Sequence, residues 1–340
     1  MTLAAAFLAG LVLALLLTPA AIRAAWAVGY LDHPEARKLH TSATALLGGV
    51  AVFAAALLAW LGVSWLLGRP AHSGGAYLFA GALIALLLGL WDDRYGMRPA
   101  VKLLGQAAAG VALLASGQVP DLGLPFAVEA ALALLAIVAL MNAVNFLDNM
   151  NGMVGGLAAL TLAAFAWTSA ERGATGLAAA QLALAGACAG FLPYNFPRAR
   201  IFLGDAGSLL LGYSLGASAM LAMCASPPGF GRVGPILMLA YPAFDLVFVV
   251  ITRLSEGRKI YAGGRDHTNH RLAGVLRCPK TTVLLLWLSG AALCASGLVV
   301  LKLNRPLPTL LLSGLWTTFL VWAGIRLASV PPSPNSRASA

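Results

Sequence analysis

Asp92 and Asp93 stand side by side in "GLWDDRYGMRPAVKLLGQ", with Arg94, Arg98 and Lys102 close behind. Adjacent carboxylates repel, more strongly near low dielectric, so they ask for a cation or a shared proton. A solvated helix end is the plainer reading, but two consecutive acids at the edge of an apolar run favour a site. A second polar island is "MNAVNFLDNMNGM", residues 141–153. Asn142, Asn145 and Asp148 are three apart, so on a continuous helix they share a stripe about 120° wide that also takes in Asn149. Asparagine offers both donors and acceptors to a polar ligand. Interhelical hydrogen bonding explains one such residue more readily than four on one face. Asn151 points away from that stripe and reaches it only if the helix breaks before Gly152.

Two further stretches complete the set. In "RIFLGDAGSLLLG", Gly204, Asp205 and Ser208 open an apolar run. The exposed amides of a helix start bind phosphate, and Asp205 suits a hard cation, although an Asp or Ser there is often only a cap. The stretch "SEGRKIYAGGRDHTNHRL" carries Arg258, Lys259, Arg265, His267, His270 and Arg271. His267 and His270 have spacing for zinc but lack neighbouring Cys or His to close a site, and phosphate recognition suits the surrounding cations better. Carboxylates for Mg²⁺, amides, and a basic loop for phosphates are the equipment of phosphoryl transfer, where positioning and electrostatics do most of the work.

The elements that must position these residues are apolar. The 340 residues are 60% hydrophobic and 10% charged, and mean hydropathy is +0.85. A soluble domain of this length needs far more surface charge. Runs of about 17–25 apolar residues, each long enough to cross ~30 Å of hydrocarbon as helix, recur along the chain. Nothing alternates as a barrel strand does. The expected fold is all-α and polytopic, with about eleven transmembrane helices: 2–23, 46–67, 76–91, 100–117, 127–147, 153–170, 174–193, 207–225, 235–253, 281–302 and 308–326. The first run lacks a basic segment before it and reads as an uncleaved helix. No soluble domain interrupts the spans, so residues 1–326 form one integral-membrane catalytic domain and 327–340, ending "PPSPNSRASA", a disordered tail.

Seventeen of the 22 Lys and Arg fall on the side that follows odd-numbered spans, and five on the other. The positive-inside rule then puts the N-terminus outside and the C-terminus in the cytoplasm. Asp92, Asp93, Asp148, Asp205 and Asp266 lie on the same basic side. That rule makes no demand on carboxylates, so their crowding points to a cytoplasmic site. The net charge of +10 therefore reflects topology and anionic partners rather than nucleic acid. The four cysteines have no zinc-site spacing and read as packing residues or free thiols.

"WDDRYG", "NAVNFLDNMNG", "FLGDAGS" and "GGRDHTNHRL", in that order, resemble the polyprenyl-phosphate N-acetylhexosamine-1-phosphate transferases, an integral-membrane family with ten or eleven spans. "GYLDHPEARKLHTSATALLGG" resembles the same family's early loop, and the likeness runs from about residue 29 to 272. It implies transfer of a sugar-1-phosphate, most simply N-acetylhexosamine-1-phosphate, from a UDP-sugar to a polyprenyl phosphate. UMP is released with Mg²⁺, or alternatively Mn²⁺, in a bacterial-type cytoplasmic membrane. Carried over by motif, Asp92 is the base for the lipid phosphate or a direct nucleophile, with Asp93 supporting it or the metal. Asp205 is the principal metal ligand, and Asn145 and Asp148 hold the metal-diphosphate or nucleotide. His267, His270 and Arg271 bind diphosphate or sugar, with Lys38, His40 and Arg265 in the matching basic segments. Lys102, one helical turn past the loop, adds a charge for the lipid phosphate. The resemblance leaves a homodimer open.

Departures fall at Asn149 and Asn151, where the family has Gly and an acid, and at Asn269, where it has His. They favour a simple UDP-N-acetylhexosamine over the donor of a phospho-MurNAc-pentapeptide transferase. Asp245, inside the ninth span, reads as a structural partner or a wall of the site. From another class, a transporter or flippase of an anionic lipid or sugar phosphate would place its polar groups near the midplane. Here they gather at one face.

Overall fold

The computed structural model describes residues 2–33, 43–66, 73–260, 264 and 266–330. Backbone polar groups in lipid must be satisfied within the chain, and apolar runs do so as helices. The elements are α1 (Thr2–Ala27), β1 (Leu31–Asp32), β2 (Thr44–Ala45), α2 (Gly48–Leu66), α3 (Ser73–Tyr95), α4 (Pro99–Leu114), α5 (Phe126–Leu147), α6 (Met153–Glu171) and α7 (Thr175–Asn195). There follow α8 (Gly204–Cys224), a 3₁₀ turn (Phe230–Arg232), α9 (Val233–Met238), α10 (Ala240–Ser255), α11 (Thr268–Leu276), α12 (Pro279–Leu303) and α13 (Pro306–Ala328).

Every expected span overlaps one of these helices. Among the described residues nine helices are long and apolar enough to cross a membrane, or ten if α9 and α10 count as one span. The expected fourth span is the apolar α4, which at 16 residues is shorter than those nine. The expected ninth is broken: α9 and α10 meet at 67° around Leu239. Pro242 accounts for the break, since it has no N–H to give the carbonyl of Met238 and its ring collides with that carbonyl.

The centre of the bundle is α8, 89% buried over its apolar window, with α2, α3, α5 and α6 packed around it. By contrast α13 is 6% buried and leaves its apolar surface outward, as a lipid-facing helix does. Close approach to α8 depends on glycine. A Cβ on Gly89 of α3 would lie 2.3 Å from the Cα of Ala206, so only hydrogen fits there. That contact brings the C-terminal turn of α3, with its two aspartates, against the first turn of α8. The two-residue strands pair antiparallel, and Ala45 bridges Ile201. They fasten the chain between α1 and α2 to the segment leading into α8.

Candidate active site

One end of the bundle gathers the C-terminal ends of α3 and α5, the N-terminal ends of α4 and α8, and the start of α11. At its centre is the ammonium of Lys102. Its Nζ lies 2.7 Å from Asp92 Oδ2, 2.7 Å from Asp205 Oδ2 and 3.1 Å from Asn145 Oδ1, which uses all three of its protons. Asn145 Nδ2 donates to Asp205 Oδ1 at 2.8 Å and to Ser208 Oγ at 2.9 Å. Asp92 Oδ1 also accepts the amide of Met97 at 2.7 Å, which closes the turn after α3. Asp92, Lys102, Asn145, Asp205 and Ser208, distant in the sequence, thus form a single hydrogen-bonded cluster.

Asp93 does something different from its neighbour. Its two oxygens accept the backbone N–H groups of Asp205 (2.9 Å) and Ala206 (3.1 Å). It caps α8 from another helix, where free amides and the helix dipole favour a negative charge. Gly204 is required alongside: its φ is +74°, and a Cβ would sit 2.7 Å from Asp93 Oδ2. Asp93, expected beside Asp92 in catalysis, therefore sets where Asp205 stands.

The amide stretch divides. α5 ends at Leu147, and Gly152, at φ +76°, turns the chain into α6, so the helix does break before Gly152. Asn145 faces the cluster. Asn142, expected at a ligand, instead exchanges hydrogen bonds with Gln106 (2.7 and 3.3 Å) and donates to Val138 O, an ordinary interhelical tie between α4 and α5. Asn149, also expected at a ligand, donates to Phe146 O and accepts from Asn269 Nδ2 at 2.7 Å, joining the α5–α6 turn to α11. Asn151 is turned to the carbonyl of Pro197 at 3.1 Å. Asp148 is half-buried, and its carboxylate accepts no hydrogen bond among the described residues. Burial, and then the charges of Asp205 and Asp93, push it up to about 8.

The basic segment contributes His267 and His270, both buried at the start of α11. The His267 ring meets Phe146 of α5 edge-on at 6.2 Å and His270 at 6.3 Å. Arg271, expected on a diphosphate, is committed elsewhere: its guanidinium donates to the carbonyls of Leu327 (3.1 Å), Ala328 (3.0 Å) and Val330 (2.8 Å). A helix C-terminus is a cation site by its dipole, and α13 supplies one. Buried Arg253 and Asp266 pair at 3.0 Å, and Arg258 joins Asp266 at 2.9 Å. Burial would raise Asp266, but hydrogen bonds from Arg258 and Arg253 outweigh it and hold the carboxyl below its usual range. Lys38, His40 and Arg265 lie outside the described residues.

Sequence reasoning missed Gln106 and Thr268, single polar residues without a motif, and left the partner of Asp245 open. Among the described residues no three His, Cys, Asp or Glu side chains gather as a metal site. The donors around Lys102 nevertheless suit Mg²⁺, because two carboxylates and one amide oxygen already converge on a cationic point. Mg²⁺ commonly takes only one or two carboxylates and completes its shell with phosphates and water.

This geometry is accompanied by clear kinship. The model of "Glycosyl transferase family 4" matches residues 76–223. A Bacillus subtilis protein named as a probable undecaprenyl-phosphate N-acetylglucosaminyl 1-phosphate transferase is 31% identical over 304 residues, covering 87% of this chain and 84% of its own length. The decaprenyl-phosphate N-acetylglucosaminephosphotransferase of Mycobacterium tuberculosis is 31% identical over 302 residues, 77% of this chain and 73% of its own. The undecaprenyl-phosphate alpha-N-acetylglucosaminyl 1-phosphate transferase of Escherichia coli K12 is 25% identical over 286 residues, 80% of this chain and 77% of its own. The matched family segment runs from α3 to α8 and so contains Asp92, Asp93, Lys102, Asn145, Asp148 and Asp205. With that segment and relatives of this identity and coverage, the chain belongs to glycosyl transferase family 4.

Proposed function

We propose that the protein transfers N-acetylhexosamine-1-phosphate from a UDP-sugar to a membrane polyprenyl phosphate at the cytoplasmic face, as the first membrane step of a cell-envelope glycan. In this reaction an oxygen of the lipid phosphate attacks the sugar-bearing phosphorus of the nucleotide sugar. The bond from that phosphorus to the bridging oxygen of UMP breaks. The products are UMP and a polyprenyl diphosphate sugar. The observation that carries the reading is the Asp92–Lys102–Asp205 cluster at one end of an apolar bundle, in a chain whose relatives are named for this transfer.

Asp92 takes the proton of the lipid phosphate, and its Oδ2, 2.7 Å from Lys102, is oriented by that ammonium. Asp205 and the amide oxygen of Asn145 would hold Mg²⁺, which supplies charge neutralisation for the diphosphate. Lys102 draws the acceptor phosphate toward Asp92. Asp93 and Asn145 keep Asp205 in place. His267 and His270 face the donor from α11. The apolar outer surface of the bundle offers the prenyl chain a path from the bilayer.

Purified protein supplied with Mg²⁺, a polyprenyl phosphate and UDP-GlcNAc is expected to release UMP, and Asp92→Asn and Asp205→Asn are expected to stop release while remaining folded. Near-normal turnover in either variant removes that residue from the reaction. A panel of UDP-sugars names the donor. If none yields UMP while Asp92→Asn still moves an anionic lipid across vesicles, the protein is a transporter.

A further inference from the structure

Asp245 lies on α10 with no solvent exposure, in the interior of the bundle, and the reaction above makes no use of it. Buried acids in membrane proteins are costly unless fully bonded. Asp245 is fully bonded, and all its donors come from one place. Oδ2 lies 2.8 Å from His267 Nδ1, while Oδ1 accepts the Thr268 amide at 2.8 Å and the Thr268 hydroxyl at 2.6 Å. Since the hydroxyl proton of Thr268 goes to the carboxylate, the Tyr241 hydroxyl 3.2 Å away is the donor to Thr268 Oγ1. Four polar groups therefore converge on the first turn of α11.

This pattern determines the chemistry of His267. A carboxylate only accepts, so Nδ1 must carry the proton and Nε2 is the open nitrogen of the ring. Among the described residues Nε2 has no hydrogen-bond partner, although the residue is 4% exposed. Phe146 lies edge-on to the ring, and the Asn149–Asn269 bond ties the same first turn of α11 to the α5–α6 turn.

We propose that Asp245 is the positioning residue of His267: it fixes the ring tautomer and orientation so that Nε2 is presented, as a hydrogen-bond acceptor, to an N–H or O–H group of the nucleotide sugar. The inference rests on the donor reading of the site. It gives α10, which contributes nothing to the Lys102 cluster, a defined part in binding. In metal sites, carboxylates that orient a ligating histidine through its far nitrogen typically change affinity or activity about 10–100-fold when lost, which sets the scale expected here.

The test is a double-mutant cycle read on both substrates. Asp245→Asn keeps the shape and can still accept from Thr268, but turns an N–H toward Nδ1 and forces the other tautomer. Its KM for UDP-GlcNAc should rise about 10–100-fold with the KM for polyprenyl phosphate within about threefold of wild type. In a His267→Ala background the same substitution should add less than about threefold, because the residue through which it acts is gone. A second pair does not touch Asp245: His267→Gln, whose amide oxygen can take the place of Nε2 as acceptor, should bind UDP-GlcNAc better than His267→Asn, whose shorter amide reaches only to the position of Nδ1. Full additive loss in the His267→Ala background, equal loss for both substrates, or Asn outperforming Gln would each overturn the proposal. Absence of UMP release from wild-type protein with every UDP-sugar would instead overturn the donor reading on which it rests.

Discussion

Asp92 and Asp93 are neighbours in sequence and near-equivalents on paper, yet their contacts predict opposite phenotypes. Asp93 accepts the amides of Asp205 and Ala206, and Ala206 is fully buried, so water cannot replace the lost bond there. Asp93→Asn retains one acceptor and points an NH₂ at the other amide. Leaving one buried donor unsatisfied costs about 1–3 kcal/mol, and removing the charge at the helix N-terminus costs about 0.3–1 kcal/mol more. A total of about 1.3–4 kcal/mol corresponds to a fall in Tm of roughly 3–16 °C at the ~2–4 °C per kcal/mol of a large domain. Asp92→Asn loses one ion pair to Lys102, but Asp205 still holds that ammonium at 2.7 Å and the repulsion between two crowded carboxylates is relieved, so the variant should lose less stability than Asp93→Asn. Thermal unfolding in detergent, paired with UMP release, separates the two. Asp93→Asn should be clearly less stable and retain partial turnover, because Asp205 is displaced rather than removed. Asp92→Asn should be nearly as stable as wild type and inactive. Equal Tm values for wild type and Asp93→Asn, or a larger loss of stability in Asp92→Asn, would refute the capping argument.

Three other outcomes follow from the same contacts. Lys102→Met leaves Asp92 and Asp205 facing each other without a cation, so turnover should fall more than about 100-fold, and millimolar Mg²⁺ should raise the variant's Tm more than wild type's. Asn151→Ala should keep most activity and Asp148→Ala should lose it, since Asn151 bonds only the Pro197 carbonyl among the described residues whereas Asp148 feels the charges of Asp205 and Asp93; equal losses in UMP release would remove the distinction. Asp266 has a lowered pKa in the folded state, so its stabilisation is complete above the ordinary carboxylate value of about 4 and is lost as pH falls through the folded value. The Tm gap between wild type and Asp266→Asn should accordingly be widest near neutral pH and shrink below about pH 4; a gap independent of pH would show that the Arg253 and Arg258 contacts do not depend on the charge.

The helices and the polar islands between them were legible because both are local properties. An apolar run of bilayer length has no alternative to a helix in lipid, and aspartates in a chain with 10% charge stand out wherever they fall. The order of the motifs was enough to indicate the family and to put Asp92, Asn145 and Asp205 forward together, Lys102 was added from its place one turn past the loop, and the fold brings those four into one cluster. Even the break of the ninth span had a local signal in Pro242. Partner choice had none. Whether Asp93 faces a substrate or the amides of α8 depends on how closely α3 approaches, which Gly89 permits but does not announce. Arg271 looks like a phosphate ligand until the carbonyls at the end of α13 are seen beside it. Asn142 and Asn149 share their polarity with Asn145, yet meet Gln106 and Asn269 instead of the cluster. Periodicity restricts which face of a helix a side chain occupies; it carries no information about what a second helix places opposite that face. For Asp245 and His267 that second helix decides everything, because only docking α11 against α10 gives a buried acid its donors and a histidine its tautomer.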